Sequence, residues 1–289
     1  MLELKDVRLA FGKNVVLDDI NLKFKQGEIV GLVAPNGTGK STLINVILHN
    51  LTPQKGFVEY EGTRYQSQKD TIKLHQQICS FPEQSDLFPF MTGRDHLNLY
   101  ADLWHNSAKP VDQIIADLQM KSYVDRKVQT YSLGMKQRLC FAMVVAADSP
   151  VMLLDEVMNG LDPQNVALIS QILLKLKKEK KLIIMASHLL SNLQQYADRV
   201  LFMGKGHIIE DLDNKKQKKR YLKMQSSPEA TKLLSDYHYE ALPNNLLLVP
   251  LAEITPDKLT QLLANLVQAD IQYSVERIDI EDLFNKFYN

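Results

Sequence analysis

The stretch VAPNGTGKST, Val33 to Thr42, constrains this chain more than any other. It follows EIVGLVA, a short apolar run of the kind that forms a buried strand. It opens STLINVILHNL, where Leu43, Val46, Ile47 and Leu51 recur at helical spacing. Strand, glycine-rich turn and helix in that order are the frame of a phosphate-binding loop. In such a loop successive backbone N–H groups curl around phosphate oxygens, and the helix behind directs its positive end at them. Gly37 and Gly39 permit the curl, Lys40 reaches the outer phosphates, and Ser41 offers a hydroxyl to Mg²⁺. Asn36, Thr38 and Thr42 complete the candidate cradle. One position departs from G-x-x-x-x-G-K-[ST]: Ala34 stands in place of the first glycine. With a negative φ its methyl group fits at the strand exit; a positive φ would cost on the order of 1 kcal/mol.

The second half of the chain supplies chemistry that matches. VMLLDE, Val151 to Glu156, is an apolar run ending in two adjacent carboxylates. Acids at the C-terminal end of a buried parallel strand lie at the mouth of the sheet, where such folds bind ligands. Asp155 suits Mg²⁺, directly or through water, and Glu156 suits an attacking water as general base. Between loop and acids, YSLGMKQRLCFAMVVAADSP places Ser132 and Gly134 before a helix, a second N-terminus that can face an anion or simply be capped by the serine. Beyond the acids, NGLDP is a turn, and LIIMASHLL is an apolar run ending at His188, which on its own reads as a structural histidine.

Charge argues against one class of partner. Lys+Arg and Asp+Glu number 34 each, so the chain lacks the basic excess of a protein that neutralises nucleic-acid phosphates, and no nucleic acid is expected. Cys79 and Cys140 lie in apolar runs without metal-ligand spacing and read as buried free thiols. MLELKDV alternates like a strand and has no signal-peptide core, and no apolar run approaches the ~20 residues of a membrane helix. The expectation is a cytoplasmic protein for which any membrane span is supplied by a partner.

In combination and in order, these pieces resemble the ATP-binding subunit of an ABC transporter, from about Leu2 to Glu210. The resemblance makes VAPNGTGKST the Walker A loop and VMLLDE Walker B, with Glu156 as catalytic base. YSLGM corresponds to the signature usually written LSGGQ, and NGLD to the D-loop around Asp162. His188 falls on the switch histidine, and Phe11, in LAFGKNVVL, on the aromatic that stacks against adenine. Glu83, in ICSFPEQSDLF, falls where the family usually has a glutamine joining the metal site to the membrane partner; Gln84, one place later, is expected to face elsewhere. Leu133 replaces the first signature glycine, and Val157 the proline after Walker B. Glutamate at position 83 and the form YS-x-GM are frequent in bacterial subunits that export drugs, peptides or lantibiotics.

What the resemblance implies is an α/β ATPase with ATP and Mg²⁺ as cofactors, serving a separate transmembrane permease at the cytoplasmic face of the cell membrane. Two such subunits, identical or related, close head to tail so that Ser132 and Gly134 of one cover the nucleotide on Walker A of the other. A nucleotide-dependent regulator of the same family, not coupled to transport, is the alternative. The expected fold is a parallel-sheet core with N-terminal antiparallel strands and a helical subdomain over about 84–148, together filling residues 1–211. Residues 212–289 carry none of the motifs. After the basic run DNKKQKKR, a solvated linker, the pattern reads strand-helix-strand-strand-helix-strand, an accessory α+β domain of ferredoxin-like order that closes on the amphipathic IEDLFNKFYN.

Overall fold

The computed structural model describes residues 1–104, 110–187, 190–215 and 219–288. His188 lies outside the described residues, as do Lys216 and Lys218 of the basic run. The chain divides into two compact units, Met1–Leu212 and Asp213–Asn289.

The first unit opens on β1 (Leu2–Phe11) and β2 (Asn14–Phe24), an antiparallel pair turned at Gly12. Strict alternation would carry Asp6 inward after Leu2 and Leu4. Instead the register with β2 shifts between Leu4 and Val7, Asp6 takes φ +51°, and Val7 and Leu9 return to the core. The bulge thus keeps Leu2, Leu4, Val7 and Leu9 on one face. β3 (Ile29–Val33) is buried at every position, as a strand covered on both faces must be. It leads into α1 (Lys40–Ile47), followed by β4 (Lys55–Tyr60), β5 (Thr63–Arg64), α2 (Gln68–His75) and β6 (Ile78–Ser80).

The helices α3 (Gly93–Trp104), α4 (Val111–Asp117) and α5 (Leu133–Ala147) pack on one another in the segment expected to be helical. Then come β7 (Val151–Asp155), α6 (Pro163–Lys178), β8 (Leu182–Ala186), α7 (Leu190–Tyr196), β9 (Arg199–Gly204) and β10 (His207–Asp213). β2-β1-β4-β5 form an antiparallel sheet, and β10-β9-β3-β8-β7-β6 form the central one, parallel from β9 through β6. One core cluster, including Leu22, Phe24, Leu43, Ile47 and Leu201, joins these sheets around α1. No helix among the described residues is long and apolar enough to cross a membrane.

The second unit comprises β11 (Arg220–Gln225), α8 (Pro228–Leu233), β12 (Glu240–Ala241), β13 (Leu246–Pro250), α9 (Pro256–Gln268), β14 (Tyr273–Arg277) and α10 (Ile280–Tyr288). Its sheet order is β12-β13-β11-β14, with all pairs antiparallel, which is the split βαβ sandwich. Leu222 and Met224 face Val249 and Leu247 across the ladder, and these four pack with Ala230, Leu234, Leu262 and Leu266. Lys223, between Leu222 and Met224 on β11, is 6% exposed and bonds Asp282 of α10 at 2.5 Å, while Lys286 of α10 pairs with Glu240 of β12 at 2.7 Å.

Candidate nucleotide-binding site

Strand order brings the loop and the acids together. β8 lies between β3 and β7, and Ala186 is the register partner of both Leu32 and Asp155. The end of β3 and the carboxylate end of β7 therefore stand level, two strand spacings (~10 Å) apart. α1 rises from the loop between them and closes the gap: Ser41 Oγ donates to Asp155 Oδ2 at 3.3 Å. Asn36, Gly37, Gly39, Lys40, Ser41, Thr42, Asp155 and Glu156 line one cleft of about 270 Å³. Thr38 turns inward to the loop itself, its hydroxyl donating to the Pro35 carbonyl at 2.7 Å.

The N-terminus of α1 is built differently from those of its neighbours. Ser132 caps α5 by accepting from Met135 N–H at 3.3 Å, and Asp162 caps α6 by accepting from Asn165 N–H at 2.9 Å. Gly39 caps α1 with no side-chain oxygen at all, and no acid stands in the first turn. Its leading N–H groups and the positive helix end are thus left for an anion from outside the chain. Gly39 has φ +106°, and a Cβ there would lie 3.0 Å from the Val16 carbonyl oxygen, so only glycine fits. Ala34 is not among the positive-φ residues and is buried, so its methyl group sits inside without backbone strain.

Lys40 is 8% exposed, and its ammonium donates to the carbonyls of Ala34 at 2.5 Å and Pro35 at 3.1 Å. Burial lowers its proton affinity, the nearby Glu156 and Asp155 carboxylates raise it, and the net displacement is downward from 10.5. Glu156 adopts φ +52°, a left-handed conformation uncommon for a residue with a side chain. Its N–H donates to the Ala186 carbonyl at 3.1 Å. Its own carbonyl accepts from Gln137 Nε2 at 3.1 Å, and the same amide reaches the Val157 carbonyl at 3.0 Å.

A second cleft continues from Asp155 and Glu156 past Asn45, Glu83, Gln84 and Gln137. Here the structure corrects one expectation. Gln84 does not face elsewhere; its Nε2 donates to Gln137 Oε1 at 2.6 Å. The contacts of Glu83 are local: its carboxylate accepts from Ser85 Oγ at 3.1 Å, and its N–H donates to Asp86 Oδ2 at 3.0 Å. Sequence reading passed over Gln137, which stands between Lys136 and Arg138 ahead of the apolar run from Leu139 and carries no mark of its own. Phe11, Ser132, Gly134 and Asp162 do not line the loop cleft. Phe11 is 53% exposed, and Leu133, between Ser132 and Gly134, is 62% exposed.

Ser41 and Asp155 suit a hard cation. Their oxygens are 3.3 Å apart, close to the ~3 Å between adjacent ligands of an octahedral ion at 2.0–2.1 Å.

An uncapped helix behind a glycine loop, a lysine at its mouth and a carboxylate pair on the next-but-one strand define a phosphate-loop nucleotide-binding protein. The sequence matches the ABC transporter family over residues 17–159. An uncharacterized ABC transporter ATP-binding protein of Bacillus subtilis (strain 168) is 31% identical over 245 residues, 82% of this chain and 79% of that protein. A bacitracin transport ATP-binding protein of Enterococcus faecalis is 31% identical over 246 residues, with the same two coverages, 82% and 79%. A solved ATP-binding subunit of an ABC transporter shares the fold, with a TM-score of 0.68 at 24% identity, over 74% of this chain and 90% of that one. The chain belongs to the ATP-binding proteins of the ABC transporter family.

Proposed function

We propose that this chain binds and hydrolyses ATP to drive export of a drug or peptide antibiotic through a separate membrane permease. It would act at the cytoplasmic face of the membrane, as one of two subunits. The observation that carries the reading is the Ser41–Asp155 pair, with Glu156 beside it, at the rim of an uncapped helix. The relative named for bacitracin transport supports the cargo class.

The loop N–H groups and the first turn of α1 hold the phosphates. Lys40 exchanges two neutral carbonyl acceptors for phosphate oxygens, so that its ammonium donates to an anion instead of to a dipole. Ser41 and Asp155 would hold Mg²⁺, which would supply charge neutralisation at the phosphates. The Glu156 carboxylate orients a water and takes its proton as the oxygen attacks the terminal phosphorus; ADP departs with the pair of electrons from the broken P–O bond. Phe11 offers its exposed ring to the adenine. Ser132 and Gly134 of a second copy cover the other side of the nucleotide, with Asp162 at the same seam. Glu83 lines the second cleft beside Asp155 and Glu156, and the family resemblance would give it the link to the permease and His188 the terminal phosphate.

The test is Glu156→Gln, which keeps the shape and removes the basic charge. Phosphate release should fall by roughly 10²–10⁴-fold, with ATP binding kept. Unchanged release would remove Glu156 from the chemistry.

A further inference from the structure

Gln137 is 6% exposed and belongs to a helix whose residues from Leu139 to Ala147 are all buried and apolar. Such a residue must satisfy its amide inside the protein. It does so completely: two N–H bonds to the Glu156 and Val157 carbonyls, and its oxygen to Gln84 Nε2. The orientation is forced, because a flipped amide would press its oxygen against two carbonyl oxygens. The carbonyls it holds are those of the left-handed residue of the site and of the residue after it. The Glu156 carbonyl also accepts from Asn159 N–H at 3.1 Å, and the Glu156 N–H is tied to Ala186. A side-chain residue at φ +52° persists only where its surroundings over-determine it. Gln137 supplies that constraint from α5, and Gln84 orients Gln137 from the short turn Gln84–Asp86 after β6.

We propose that Gln84 and Gln137 form a directional hydrogen-bond relay that positions Glu156, making both positioning residues for hydrolysis. The relay rests on the reading of Glu156 as general base. Its consequence is specific: movement of the turn at 84–86 reaches the base through one side-chain amide. Gln84, not Glu83, is the residue of that turn connected to the backbone of Glu156.

The test uses the full chain and two readouts. Gln84→Glu places an acceptor against the oxygen of Gln137, so the amide must either suffer repulsion or turn away from the carbonyls. Gln84→Lys keeps a donor there. Amide hydrogen exchange over residues 156–159 should rise about three- to tenfold in Gln84→Glu and stay near wild type in Gln84→Lys. kcat should fall by a similar factor in Gln84→Glu, with KM for ATP changed less than twofold, and Gln84→Lys should restore it. Gln137→Leu should exceed Gln84→Glu in both readouts; if it fails to fold, the Gln84 pair decides alone. Wild-type exchange in Gln84→Glu would overturn the relay. Raised exchange with wild-type kcat, alongside an inactive Glu156→Gln, would overturn its part in hydrolysis while leaving the base in place. An active Glu156→Gln would instead overturn the base, and the exchange result would still decide the relay.

Discussion

The ammonium of Lys40 rests on the carbonyls of Ala34 and Pro35, at the edge of the cleft that holds Asp155 and Glu156. Its proposed part in the cycle is to trade these for phosphate. Lys40→Ala should therefore weaken ATP binding by about 1.5–3 kcal/mol, roughly 10- to 150-fold in Kd by calorimetric titration; an unchanged Kd would contradict the loop assignment. The direction of its pKa adds a pH test. Phosphate contact needs the protonated amine, and burial holds the proton less firmly than in free lysine. ATP affinity should thus decline as pH rises through a value below 10.5 in the wild type, and Lys40→Ala should lack this phase. At this scale GKST and DE were legible because their spacing has one good chemical explanation. Gln137 was not, since a glutamine in a helix does not announce which way it points. Gln84 was misjudged for a related reason: the 3-10 turn with Glu83 as its cap turns Glu83 toward Ser85 and carries Gln84 inward.

Elements differ in how they settle their backbone ends, and the difference marks function. α2, α5, α6 and α8 each begin with a side chain accepting an N–H of the first turn, from Ser67, Ser132, Asp162 and Ser227. α1 does not. The periodicity of STLINVILHNL predicted that helix, and the glycines before it the tight curl; that Gly39 stands at the N-cap without a side-chain bond is a finding of the structure. In the second unit, strand and helix periods were equally plain, but two details were not. Of YHYEAL only Glu240–Ala241 pairs as strand, and Thr255 stands at the N-cap of α9 without a side-chain bond. Nor does anything in YLKMQ mark Lys223 as buried, because its partners Asp279 and Asp282 arrive from a distant part of the chain. Asp279 and Asp282 exchange N–H bonds at the start of α10, and Lys223 reaches both carboxylates, at 3.2 and 2.5 Å. Lys223→Ala leaves a buried carboxylate without its cation and should cost about 3–5 kcal/mol in urea unfolding; a loss under 1 kcal/mol would make the cluster incidental. Burial alone would lower the pKa of Lys223, but Asp282 and Asp279 raise it above 10.5. A raised folded value stabilises fully below the unfolded pKa and is lost as pH climbs through the folded one. The contribution of the lysine should therefore be intact at neutral pH and be lost in strong alkali.

On the scale of the whole molecule, every residue of the loop cleft lies within Met1–Leu212. A chain ended after Asp213, which keeps β10 whole, should stay folded and bind ATP within about twofold of the full chain, each 1.4 kcal/mol being tenfold. Insolubility of that shorter chain would mean that residues 214–289 complete the first unit's core. The proposed site is incomplete in one copy: loop, lysine and acids line the cleft on one side, while Ser132 and Gly134 do not line it. Closure of two copies would enclose the nucleotide, and only an unhydrolysed one would keep them closed. Sedimentation velocity of Glu156→Gln with ATP and Mg²⁺ tests this most directly. A dimer with ATP, and a monomer both with ADP and in the Lys40→Ala background, is the predicted result. A Glu156→Gln chain that binds ATP with wild-type affinity yet sediments as a monomer would contradict the account.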